Sequence, residues 1–151
     1  MRGKRSVWAA LLLALALVIG WGALQSSPQE QVTARFLRDR GPLEAAAHRV
    51  LEQWSAEGVP VPVGWKSVTL HDHNRELVTV EFAFGGSGFG SETAYWGVNY
   101  VPAGVALGFQ GHRWDYWKGR GAGRLYYDPE GDNTCYVEEL APCWYYYEMR
   151  F

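Results

Sequence analysis

Hydrophobic positions along the chain change period twice. From Val7 to Leu24 an uncharged apolar run of 18 residues follows Arg2, Lys4 and Arg5. A removable secretory leader carries an apolar stretch of about 7–15 residues, whereas a spanning helix needs about 17–25. The length therefore predicts an uncleaved anchor over residues 1–25; with a cleaved leader the protein would be secreted. The basic start stays cytoplasmic by the positive-inside tendency, which places everything after the apolar run outside the membrane. Ser27, Pro28 and Glu30 then form a helix start: a hydroxyl cap, proline at the first helical position and a carboxylate three residues after the cap. Gly41 and Pro42 are expected to stop or kink that helix, which makes 26–41 a juxtamembrane helix. A second helix is expected from Pro42 to about Glu57, with Leu43, Ala47, Val50, Leu51 and Trp54 on one face. Gly58 and the prolines of "GVPVPVG" end it.

From Trp65 onward the period is two, the mark of half-buried strands. Val78, Val80, Phe82 and Phe84 share one face, and Ala94, Trp96, Val98 and Tyr100 line up the same way. Turn formers separate the runs: "HDHNRE", "GGSGFGSE", "PAG" before a fourth strand at Val105 to Phe109, and "KGRGAGR" in a hairpin ending in "LYY". Helix first and consecutive hairpins afterwards predict an α+β domain over 42–151, one or two helices packed on an antiparallel meander. In its order of elements the outline resembles the cystatin-like or NTF2-like arrangement, a helix laid on a curved sheet. Fold alone assigns no function.

Charge and composition narrow the classes. Beyond Leu24 there are sixteen acidic and eleven basic residues, a formal charge of −5, and this surface argues against nucleic acid, which requires clustered Lys and Arg. Cys135 and Cys143 face an oxidising compartment, where one disulfide is expected if "YVEELAP" forms a compact loop. A tight hairpin through Ala141 and Pro142 would instead leave Cys135 opposite a residue near Glu148, and the two arrangements exclude each other.

Aromatic residues dominate "CWYYYEMRF" at the end of the chain. As a strand it points Cys143, Tyr145, Tyr147, Met149 and Phe151 one way and Trp144, Tyr146, Glu148 and Arg150 the other. The first set reads as core. The second, two rings with two opposite charges, reads as a solvent face or the floor of a shallow groove. Trp144 and Tyr146, with Trp114 and Trp117 near a neighbouring turn, are thus the candidate ligand platform, because exposed rings stack on sugars or on peptide side chains.

Catalytic constellations are scarce. His71 and His73 flank Asp72 and in an extended segment project from one side, as metal ligands do, yet the spacing designates no third ligand. "DPEGDN" lacks the spacing of a calcium loop. "GGSGFG" lacks the lysine and helix of a phosphate loop, and Ser87 is not in a nucleophile elbow. No cofactor is implied. The sequence supports, in order, a membrane-anchored extracytoplasmic binding module meeting a protein partner, an aromatic-rich domain for glycans or cell wall, and a small metal-dependent enzyme built on His71 and His73.

Overall fold

The computed structural model describes residues 26–73, 77–89, 92–113 and 115–151. The segment 1–25 and its reading as an anchor lie outside the described residues, among which no helix is long and apolar enough to cross a membrane. One helix packs against a seven-stranded antiparallel sheet, an α+β architecture.

Helix α1 runs from Pro28 to Gln53. The start matches the sequence signature: Ser27 Oγ accepts from the Glu30 N–H at 3.2 Å, and a Glu30 carboxylate oxygen accepts from the Ser27 N–H at 2.7 Å. Contrary to expectation the helix does not stop at Pro42. Proline removes one helical hydrogen bond and crowds the preceding turn, at a cost of about 3 kcal/mol. The apolar stripe explains why that cost is tolerated: Val32 and Phe36 before the proline, and Leu43, Ala47 and Val50 after it, are all 0% exposed. The spacing stays in helical phase across Gly41 and Pro42, so breaking there would lift one half of the stripe from the sheet. The helix ends earlier than Glu57, at Trp54, which adopts φ 52°. Gln29 Nε2 donates to Glu138 at 2.8 Å near the start, and Trp54 Nε1 donates to Asp72 at 3.1 Å at the end. The helix thus spans the sheet obliquely.

The strands are β1 (Ser67–His73), β2 (Leu77–Phe89), β3 (Glu92–Tyr100), β4 (Trp117–Arg120), β5 (Gly123–Tyr127), β6 (Thr134–Ala141) and β7 (Trp144–Arg150). Their order in the sheet is β1-β2-β3-β7-β6-β5-β4. This is two meanders joined at the β3–β7 seam, where Val98 lies opposite Tyr146. Two expectations about connections change. "GGSGF" belongs to β2, which carries an irregularity between Ala83 and Gly85; any side chain at Gly85 would meet the Trp96 indole lying over it. The fourth strand at Val105 to Phe109 does not form, because after Tyr100 the chain leaves the sheet and crosses its other face to reach β4, with only a short 3-10 turn at Phe109–Gly111.

The sheet is consequently covered on both sides. On the helix side Val32, Phe36, Leu43 and Val50 meet Val80, Phe82, Val98, Trp144 and Tyr146. On the opposite side the crossover contributes Val101, Leu107 and Phe109 over Tyr126, Cys135, Val137, Tyr145, Tyr147 and Met149.

Candidate functional site

Strand alternation puts each predicted site residue on a definite face, and burial decides what it can do there. Trp144 and Tyr146 point toward the helix and are 1% and 0% exposed. This corrects their reading as a solvent face. The Trp144 ring is 5.0 Å from Tyr100, 5.3 Å from Phe36 and 5.9 Å from Phe82, and the Tyr146 hydroxyl donates to Glu148 at 3.0 Å. Trp114 lies outside the described residues. Trp117, on the edge strand β4, is 50% exposed. Of the four rings only Trp117 is shown with a face presented to solvent.

The two cysteines are free, which corrects the expected bridge. Cys135 sits opposite Met149 in the ladder, and Ala141 opposite Trp144 closes the hairpin through Pro142 and Cys143. Proline followed by a residue at φ 67° meets the demands of a type II turn. Six residues of strand therefore separate Cys135 from the turn, about 20 Å at 3.3 Å per residue, whereas a disulfide tolerates Cα atoms about 7 Å apart at most. Burial pushes the Cys135 thiol up to about 12, reinforced by the nearby Glu81 and Glu148 carboxylates. Such a thiol is not a nucleophile at neutral pH.

His71 Nε2 lies 3.3 Å from Glu81 Oε2, both side chains being mostly buried. The His73 side chain, the other half of the pair, lies outside the described residues, among which no group of three or more His, Cys, Asp and Glu is arranged to hold a metal. Around His71 runs a row of polar groups under the crossover: Thr79 and Asn99 at 0% exposure and Glu81 at 9%. The amide atoms of Asn99 have no hydrogen-bond partner among the described residues. Tyr147 bonds to Glu81; its phenol is raised well above the usual range, first by burial and then by that carboxylate. The row is mostly buried among the described residues.

The open concavity lies beside it, on the same face. Between the crossover and strands β4 to β6 is a cleft of about 880 Å³, floored by Tyr126, Val137 and Tyr145 and walled by residues 103–107 with Arg113 and Asp115. Trp117 pairs with Tyr126 and Gly119 with Arg124, so the side chains of Trp117, Arg124 and Tyr126 rise from the same face of the β4–β5 hairpin. The Arg124 guanidinium lies over the Trp117 ring, 4.6 Å from its centroid. Neither Arg113 nor Arg124 forms an ion pair among the described residues. Glu139 lines the cleft as well. Burial and the Glu139 charge raise the Tyr145 phenol, with Arg124 acting in the opposite sense, so this hydroxyl stays a donor at any physiological pH.

Other turns are occupied by their own chemistry. In "DPEGDN" Asp128 Oδ1 accepts from the Glu130 N–H at 2.9 Å, an ordinary side-chain-closed turn. The "KGRGAGR" segment is the expected hairpin, and its Lys118 and Arg120 rest over the rings of Tyr127 and Tyr136. Arg113, Tyr126, Tyr145 and Glu139 were not singled out from sequence as site residues. A signal existed for Tyr126: a two-residue turn at Gly121 and Ala122 fixes the register that sets it beside Trp117. No protein-family model, no curated protein and no solved structure matches this chain.

Proposed function

We propose that the chain is a membrane-tethered extracytoplasmic binding module without chemistry of its own, and that its ligand enters the cleft between the crossover and β4 to β6. The observation that carries this reading is the half-exposed Trp117 with Arg124 laid across it at the mouth of a walled concavity. Ligand sites are concave, combine rings with a few convergent polar groups, and measure about 300–1,000 Å³. The 18 apolar residues that follow three basic ones support the tether. Helix-first order over an antiparallel sheet supports the cystatin-like or NTF2-like outline.

Binding of the full-length protein, in detergent micelles, to glycan and peptide arrays tests the proposal. Trp117→Ala is expected to weaken the bound ligand at least tenfold while leaving the circular dichroism spectrum unchanged. Retention of every ligand by Trp117→Ala and by Arg124→Ala would sink it.

A further inference from the structure

Resting on that reading of the cleft, we infer that its ligand is a short acidic sugar, an oligosaccharide whose carboxylate is taken by Arg113 and Arg124 while its hydroxyls meet Asp115, Glu139 and Tyr145. Both guanidiniums line one cleft, and neither is neutralised by a carboxylate of the described chain. A guanidinium presents parallel N–H donors matched to the two oxygens of a carboxylate, and stacking on Trp117 holds the Arg124 fork in place before the ligand arrives.

The remaining lining selects among anions. Asp115 and Glu139 balance the two arginines, so a polyanion gains no net attraction and suffers repulsion at both carboxylates. A ligand with one carboxylate and several hydroxyls satisfies all four groups, because hydroxyls donate to Asp115 and Glu139. The ring surface needed for stacking against a sugar is supplied by the free part of Trp117, which is half exposed. A peptide fits less well: extended peptides gain affinity by pairing with an unpaired strand edge, and at the cleft the floor strands β5, β6 and β7 are each paired on both sides, while the free edge of β4 offers four residues, Trp117–Arg120.

Calorimetric titration of the full-length protein in micelles decides the matter with three probes: a trisaccharide of two neutral sugars bearing one terminal glucuronate, its carboxyl-reduced counterpart of the same linkage, and a tripeptide with a free C-terminus. The uronate is expected to bind at least tenfold more tightly than its reduced counterpart. Arg124→Gln and Arg113→Gln should each remove most of that difference, and Trp117→Ala should weaken both sugars. Equal binding of the two sugars, insensitive to either arginine yet lost in Trp117→Ala, overturns the carboxylate inference and leaves the cleft reading standing. Arginine-dependent binding of the tripeptide without the uronate overturns the sugar. No binding of the singly charged uronate trisaccharide at millimolar concentration overturns the inference outright. Sugar binding unaffected by Trp117→Ala overturns the inference and the cleft reading together.

Discussion

Replacing Trp144 by alanine separates a core tryptophan from a ligand platform. The ring is 1% exposed and has three aromatic neighbours with centroids between 5.0 and 5.9 Å away. Truncating a buried tryptophan costs about 3–5 kcal/mol, a sum of lost transfer energy and the cavity left behind. Its position favours the upper half of that range. Trp144 pairs with Tyr100 of β3 and Ala141 of β6 and meets Phe36 of the helix, so helix, seam and hairpin all lose a contact and none can close the gap alone. A domain of ordinary stability holds about 5–15 kcal/mol; at about 2 kcal/mol per molar urea, the midpoint should fall by about 2 M. Pulse proteolysis in urea reads this on the full-length protein. Trp117→Ala, on an exposed edge strand, should stay within about 0.5 kcal/mol of the parent. A loss below 1 kcal/mol for Trp144→Ala, or equal losses for the two variants, would refute the placement of Trp144 between helix and sheet.

Two further outcomes follow from the buried acids. A thiol reagent at pH 8 should modify one cysteine per chain rapidly, the partly exposed Cys143, and reach Cys135 only on unfolding; no rapid reaction at all would indicate a bridge and a compact loop in place of the hairpin. Stability should also fall in alkali: Cys135 is raised from 9.0 to about 12, Tyr136 from 10.0 to about 12, and Tyr147 in the same direction. Each of these groups is neutral when protonated and keeps its proton longer in the folded state. Its contribution is whole below the unfolded pKa and drains as pH rises toward the folded one, so the loss begins near pH 9 for the thiol and pH 10 for the phenols, and for Cys135 and Tyr136 it continues toward 12. The slope is about 1.4 kcal/mol per pH unit for each fully buried group. An unchanged urea midpoint between pH 8 and pH 11 would contradict the burial of Cys135 and Tyr147.

Local chemistry in the sequence specified local structure. Ser27, Pro28 and Glu30 marked the helix start, and the period-two runs marked β2, β3 and β7, because caps and alternation depend on neighbours in the chain. Alternation says which residues share a face; it is silent on what covers that face. Glu148 and Arg150 made the Trp144–Tyr146 side look wet, and their side chains are indeed 17% and 66% exposed. The helix covers only the first half of β7, so one face of one strand passes from sealed core to solvent within seven residues. Pro42 misled for a related reason. Its local cost is real, but the stripe that outweighs it packs against strands distant in sequence. For the cysteines, the decisive fact was whether "YVEELAP" forms a compact loop or the strand of a tight hairpin; it is strand β6 up to Ala141, and pairing with β7 sets Cys135 opposite Met149.

The cleft was the least legible feature because it is a consequence of topology. After β3 the chain goes to the far edge of the sheet and returns through β4, β5 and β6, so that β7 ends up beside β3 and the connection must cross the face opposite the helix. Where the connection presents Val101, Leu107 and Phe109 it forms an apolar cover, with the Phe109 ring 6.1 Å from that of Tyr147 and 5.6 Å from that of Phe151. Beneath that half lie Glu81, Asn99 and Thr79, shielded from water. Farther along, Arg113 and Asp115 line the cleft beside the β4 to β6 surface. One segment thus closes half of a sheet face and borders the other half as a cavity wall. On the proposed reading, ligand capture and core stability are coupled through it: a sugar bridging Arg113 to Arg124 would tie the connection to the β4–β5 hairpin and stabilise the folded state by RT ln(1 + L/Kd), L being the free ligand concentration.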